Sequence, residues 1–281
     1  MPNDFYPFQL GNFECIALCD GDAEYALESM VKNASRSDVQ AYLRTQNLPI
    51  ETITTPYTYL YVNTGQQKIL VDTGAGNLFT TTGRLLHNME KAGIPPESID
   101  SIFISHAHPD HVGGVLNSKG ELNFSNANYF IWHTEWNFWF SEQAIQQVGQ
   151  EFIAFAREKL IPLKEKIVLL EAEQEVMPGV RVISAPGHTP GHMVIAFESQ
   201  GRQLLYTGDT VLHPLHLEHP DWLPIFDILP DLASVSKKRI FDMAASTQSL
   251  VLGQHFPPFP NLGHILKKEN GWQWQPLALT S

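Results

Sequence analysis

Between Ser105 and Gly114 the chain reads Ser-His-Ala-His-Pro-Asp-His-Val-Gly-Gly, which places three imidazoles and a carboxylate within six residues. Imidazole nitrogen and carboxylate oxygen are a donor set for divalent transition-metal ions. Alternate side chains of an extended segment share a face, so His106 and His108 point together while Ala107 points away. Pro109 keeps His108 out of helical geometry and itself suits the first position of a helix. The chain therefore turns at once and presents Asp110 and His111 from another direction. Two ligand pairs leaving one place at two angles suit two metal ions better than one.

The element behind this cluster is the apolar run Ser101-Ile102-Phe103-Ile104, which reads as a short buried strand ending at the histidines. Upstream, residues 8–20 read as an opening strand, and Ser35 to Asp38 cap a short helix through about Thr45. Tyr57 to Asn63 and Lys68 to Val71 form a hairpin around Thr64-Gly65-Gln66-Gln67, and the second arm ends in Asp72-Thr73-Gly74-Ala75-Gly76. A helix carries Leu85, Leu86, Met89 and Ala92 and stops at Gly93. Downstream, Tyr129 to Trp132 reads as a strand and about 135–160 as one long aromatic-rich helix. Strands follow at Ile167 to Leu170, Val180 to Ser184, Met193 to Glu198 and Leu204 to Thr207. A helix near 231–245 and a strand near Leu250 to Leu252 close the pattern. Many strands with helices before, between and after them indicate a sheet-on-sheet core clad in helices.

His106-x-His108-x-Asp110-His111 resembles the HxHxDH signature of the metallo-β-lactamase superfamily. That resemblance implies an α/β (α+β) fold, the four-layer αββα sandwich of the superfamily, as one hydrolase domain over 1–281. It also implies three more ligands downstream, and a candidate for each appears in order. They are His188 in Ala185-Pro186-Gly187-His188-Thr189-Pro190-Gly191-His192, Asp209 in Tyr206-Thr207-Gly208-Asp209-Thr210, and His255 in Gly253-Gln254-His255-Phe256. By the family pattern His106, His108 and His188 hold one ion, Asp110, His111 and His255 the other, and Asp209 bridges both. In the family the Asp of the turn at Asp72 supports a ligand histidine, and metal-bound imidazoles commonly donate their other N–H to such a group. Zinc is the default ion for mixed His/Asp ligation, with manganese, iron or cobalt also suited.

A pair of divalent cations lowers the pKa of a water between them, so a bridging hydroxide becomes available near neutral pH. Asp110 could relay the proton, and no serine-nucleophile elbow competes for the role. The metals define hydrolysis, whereas the pocket defines the substrate. Trp132, Trp136, Phe138, Trp139 and Phe140 crowd one stretch, and Trp222 and Phe226 follow Asp209. Adjacent aromatics on a helix cannot all face inward, so Trp136, Phe138, Trp139 and Trp222 are candidates for an apolar pocket or a subunit interface. His213, four residues past Asp209, is a candidate substrate contact. With His216 and His219 it sits in a proline-broken loop read as a pocket rim, a further metal site being the alternative. His192 reads as packing or supporting, His87 and His264 as surface, and His133 as surface or pocket.

Within the superfamily these features most resemble the methyl parathion hydrolase and acyl-homoserine lactonase group, which hydrolyses lactones, aryl esters and some phosphotriesters, usually as dimers. A small apolar ester, lactone or phosphotriester is the expected partner, and a homodimer the expected assembly. One departure favours the parathion-hydrolase side: the tyrosine that lactonases carry three residues after the bridging Asp is Leu212 here. A glyoxalase II type thioesterase shares the ligands but usually has Thr in place of Ala107. A redox diiron protein on this fold typically replaces the second histidine with Glu, against His108.

Composition narrows the partners. Lys and Arg number 18 against 30 Asp and Glu, a net charge of −12. Such a surface disfavours nucleic-acid backbones and anionic membranes, whose binding relies on clustered basic residues. Cys15 and Cys19 share a strand, about 13 Å apart and too far for a disulfide. The start from Met1 to Tyr6 lacks the basic and apolar regions of a secretory signal, so the expected location is cytoplasmic.

Overall fold

A computed structural model describes residues 4–278, so the first three residues of the start and residues 279–281 lie outside it. The chain folds as two sheets laid face to face. The first holds β1 (Phe5–Leu10), β2 (Phe13–Ala26), β3 (Thr52–Asn63), β4 (Lys68–Val71), β5 (Ser101–Ile104), β6 (Asn128–Trp132) and β7 (Ile167–Leu170), in that order. The second holds β8 (Gln174–Met177), β9 (Val180–Ser184), β10 (Met193–Ser199), β11 (Arg202–Tyr206), β12 (Leu250–Leu252), β13 (Leu262–Lys268) and β14 (Gly271–Pro276), again in chain sequence across the sheet.

The pleat sorts each strand's side chains between two cores. On β5, Phe103 enters the layer between the sheets with Leu60, Val71, Phe130, Ile195 and Leu204, while Ile102 and Ile104 face helices outside. Helices Leu85–Lys91, His133–Phe140 and Gln150–Leu160 cover the outer face of the first sheet, and Pro230–Thr247 covers the second. This is the four-layer helix–sheet–sheet–helix sandwich expected from the resemblance.

The short helices Leu27–Met30 and Leu215–Glu218 and strand β8 were not read from the sequence, and three larger parts differ from it. The opening strand is a hairpin, because Gly11, at φ +57°, turns the chain and pairs Leu10 with Phe13. The long helix over 135–160 is three helices, His133–Phe140, Glu142–Val148 and Gln150–Leu160. Ser141 is extended and its hydroxyl accepts from Ala144 N, starting a new helix, and Gly149, at φ +92°, interrupts again. The chain also ends in a hairpin, β13 with β14, which the alternation around Asn270-Gly271 could have signalled.

Strands β4, β5 and β6 run parallel, as do β11 and β12, so their ends gather loops at one edge of the sandwich. Asp72 follows β4, His106 follows β5, His188 follows β9, Asp209 follows β11 and His255 follows β12. No helix among the described residues is long and apolar enough to cross a membrane.

Candidate metal centre

Two close backbone approaches bring the loops together. A Cβ on Gly114 would stand 1.9 Å from the Thr73 carbonyl oxygen, so only glycine lets the histidine loop settle against the Asp72 turn. A Cβ on Gly191 would stand 2.1 Å from Glu135 N, which ties the His188 loop to helix His133–Phe140 in the same way. Asp72 itself turns at φ +61°, a left-handed conformation that a short polar side chain tolerates.

The seven expected ligands converge. Their potential ligand atoms form two groups, His106, His108, His188 and Asp209 in one, Asp110, His111, Asp209 and His255 in the other. Asp209 stands between them with its oxygens divided. Its Oδ2 faces His188 Nε2 at 3.2 Å and His106 Nε2 at 3.8 Å. Its Oδ1 faces His255 Nε2 at 3.2 Å and His111 Nε2 at 3.3 Å. Asp110 Oδ2 lies 3.4 Å from both His111 Nε2 and His255 Nε2. His106 Nε2 and Asp209 Oδ1 are buried and have no hydrogen-bond partner among the described residues. Such atoms are costly to leave unsatisfied, and a cation held within each group would satisfy them. The donor set therefore fits a pair of divalent metal ions.

Outer groups hold the imidazoles in place. Asp72 Oδ2 accepts from His111 Nδ1 at 2.8 Å and from the Tyr206 hydroxyl at 3.0 Å. His188 Nδ1 donates to Asp227 Oδ1 at 3.0 Å, and His255 Nδ1 donates to the Pro56 carbonyl at 3.1 Å. His192 Nε2 accepts from Asp209 N at 3.0 Å, so this histidine supports the backbone of the central Asp. Glu135 is completely buried between two of the loops. Its Oε1 accepts from Ala107 N and Trp139 Nε1, its Oε2 from Gly191 N and the Thr189 hydroxyl. Asp227 and Glu135 were missed in the sequence, since neither belongs to a recognisable motif. The only available signal was a Glu one residue from Trp136, on a helix that otherwise reads as aromatic.

Burial and charge drive the titration of these groups apart. Burial and the neighbouring His111 hold His106 well below the usual histidine range, and burial beside His188 lowers His108 to about 3. Burial also opposes protonation of His188 and His255, but Asp209, joined by Asp227 at His188 and by Asp110 at His255, outweighs it and raises each to about 9. Burial pushes the Asp209 carboxyl up, yet His255, His111 and His188 together hold it well below the carboxylate range.

A cavity of about 480 Å³ opens over Asp110, Asp209, His188 and His255. Its walls are apolar, with Phe79, Val148, Phe152, Leu212, Ile225 and Phe226 among them. The five side chains proposed for the pocket are not among its lining. Phe138 and Trp139 turn into the core, where Trp139 bonds Glu135 and stands edge-on to His108 at 5.6 Å. Trp136 packs on Phe140 at 4.8 Å, and Trp222 stacks on His219 at 3.9 Å. His213 is buried, and its Nδ1 accepts from Leu215 N at the start of a short helix. Helical periodicity showed that some of these rings had to be left over, but not which face met the cavity. Instead Phe152 and Ile225 line it, both more than half exposed. Among the described residues no metal-holding group includes His213, His216 or His219. His87 is exposed, but His264 is half-buried and donates to the Ser249 carbonyl at 2.9 Å, and His133 sits half-buried beside Asn137.

Residues 53–255 match the family model described as the metallo-beta-lactamase superfamily. An N-acyl homoserine lactonase of Bacillus cereus is 29% identical over 258 residues, covering 84% of this chain and 90% of that protein. Among solved structures, AidC, described as a dizinc quorum-quenching lactonase in complex with a product, superposes with a TM-score of 0.92 at 30% identity, covering 99% of this chain and 98% of that one. The hydrolase AbOPH of the beta lactamase superfamily superposes with a TM-score of 0.91 at 25% identity over the full length of both chains.

Proposed function

The chain belongs to the metallo-β-lactamase superfamily and is a metal-dependent hydrolase, and from that premise we propose that it cleaves small apolar lactones. The observation that carries hydrolysis is the division of Asp209, whose two oxygens face two separate sets of imidazoles. In this reading His106, His108 and His188 hold one ion, Asp110, His111 and His255 the second, and Asp209 both, with zinc the default metal. When bound, such ions supply an activated water and offset negative charge on the ester oxygens.

The chain's own residues do the rest. Asp72 and Asp227 fix the tautomers of His111 and His188, so that each presents Nε2 to the centre. Burial pushes the Asp110 carboxyl up, but His111 and His255 hold it below the usual carboxylate range, and it lines the cavity, where the carboxylate takes a proton from water and returns it to the leaving alcohol oxygen. Phe79, Phe152 and Phe226 exclude water and seat an apolar acyl group. A relative named an N-acyl homoserine lactonase and a neighbour described as a quorum-quenching lactonase support the lactone reading. Aryl esters and phosphotriesters are the second reading, favoured by the apolar Leu212 in the cavity wall. The homodimer and the cytoplasmic location expected from the sequence belong to the same proposal, and sedimentation and cell fractionation test them.

The test is a panel of lactones, aryl esters, phosphotriesters and thioesters given to the metal-loaded protein. Turnover confined to acylated lactones is the expected result. Turnover of thioesters alone would refute the proposal.

A further inference from the structure

Strands β2 and β3 pair along their length, matching Tyr25 with Ile53, Ala23 with Thr55 and Gly21 with Tyr57. Paired residues share a face, and so do every second residue along a strand, which sets Tyr25, Thr55 and Tyr57 on one side of the sheet. There the two phenols meet, hydroxyl to hydroxyl. Tyr57 is completely buried and stands edge-on to His255 with ring centroids 4.7 Å apart. Tyr25 is half-buried, edge-on to Phe226 at 5.6 Å and to Phe79 at 6.3 Å. Both of those rings are cavity walls, and Tyr25 lines the same cavity with Asp110, Asp209 and His255.

Counting hydrogens decides what this pair can do. Two hydroxyls carry two protons, and one proton closes the bond between them. Among the described residues the Tyr57 hydroxyl has no partner except Tyr25. A buried hydroxyl needs an acceptor, so Tyr57 donates to Tyr25. The Tyr25 proton is then free to point into the cavity, and an oxygen that already accepts a hydrogen bond makes a stronger donor. Thr55 reinforces the pattern from the same face. It lines the cavity, and its buried Oγ1 has no hydrogen-bond partner among the described residues, as expected where a ligand supplies one.

We propose that Tyr25 is a catalytic residue whose hydroxyl donates to the carbonyl oxygen of the substrate, with Tyr57 as the positioning residue that directs it. The proposal rests on the ester-hydrolysis reading above. As the water oxygen bonds to the carbonyl carbon, the C=O pair moves onto the carbonyl oxygen, and the Tyr25 donor meets the charge that grows there. When the carbonyl reforms, the bond to the ring oxygen breaks and that oxygen takes its proton from Asp110. Tyr25 keeps its proton throughout.

The experiment compares Tyr25→Phe, Tyr57→Phe and the double variant with wild type on a turned-over lactone, with metal content and melting temperature measured alongside. Tyr25→Phe should retain metal and fold while kcat falls on the order of 100-fold with KM little changed. Tyr57→Phe should lose less, roughly tenfold, and the double variant should be no worse than Tyr25→Phe alone, because Tyr57 acts only through Tyr25. A Tyr25→Phe protein with wild-type kcat, or losses that multiply in the double variant, overturns the proposal while lactone turnover still stands. Wild-type protein that hydrolyses no ester overturns the underlying reading and this proposal with it.

Discussion

His188 donates its Nδ1 proton to Asp227 Oδ1 at 3.0 Å, and this one bond aims His188 Nε2 at Asp209 Oδ2, 3.2 Å away. A carboxylate behind an imidazole fixes the tautomer and raises the basicity of the nitrogen left to bind metal. Asp227→Asn should therefore weaken metal binding by roughly 10- to 100-fold without unfolding the protein. Competition with a chelator reads the change, and undiminished affinity would show that the contact is only structural.

Asp209 has the largest expected effect. Among the described residues it alone faces both sets of imidazoles, so Asp209→Ala should remove metal and turnover together. Metal analysis of the wild-type protein should find about two ions per chain. A fully active variant would end the bridging assignment.

Glu135 should matter for stability first. Its removal leaves the Ala107 and Gly191 amides, the Thr189 hydroxyl and the Trp139 indole without their acceptor. Each buried donor left unmade costs about 1–3 kcal/mol, so Glu135→Ala should destabilise the metal-free protein by about 3 kcal/mol or more. Urea unfolding measures it, and a loss below 1 kcal/mol would mean that water replaces the carboxylate at low cost.

Proton release should accompany metal loading. His188 is raised to about 9 by Asp209 and Asp227, His255 to about 9 by Asp209 and Asp110, and His111 well above its usual range by Asp110, Asp209 and Asp72, so all three carry protons in the metal-free protein at neutral pH. Ligation needs neutral imidazole, and loading at pH 7 should release on the order of three protons. Affinity should climb as pH rises through about 9, where His188 and His255 lose their protons. For the metal-free fold the sign is opposite: these raised values contribute stability that is complete below pH 6.5 and fades as pH rises through about 9. Calorimetry in buffers of different ionisation enthalpy counts the protons, and none released would contradict the charge state.

Phe152 should set acyl-chain preference. It lines the cavity yet is 51% exposed, so Phe152→Ala should fold normally. Losing an apolar wall costs about 1–2 kcal/mol of contact, which predicts roughly tenfold higher KM for long-chain lactones and little change for short ones. Equal effects on both would place the acyl group elsewhere.

The donor set was legible from residue order, because ligand chemistry is written in residue types and His106 to His111 is local enough for alternation and Pro109 to orient it. Residue order also determined most strands and the helix cap at Ser35, where a side chain acts on its own neighbours. Which distant groups meet was settled by strand pairing and packing. Parallel pairing of β11 with β12 places Asp209 beside His255, and the β2–β3 register sets Tyr25 against Tyr57. Asp227 and Glu135 carry no local pattern, since a buried carboxylate is defined by donors that arrive from elsewhere in the chain. The same reason moved Trp139 into the core and put Phe152 on the cavity wall: periodicity shows that a helix has faces, and packing alone chooses what each face meets.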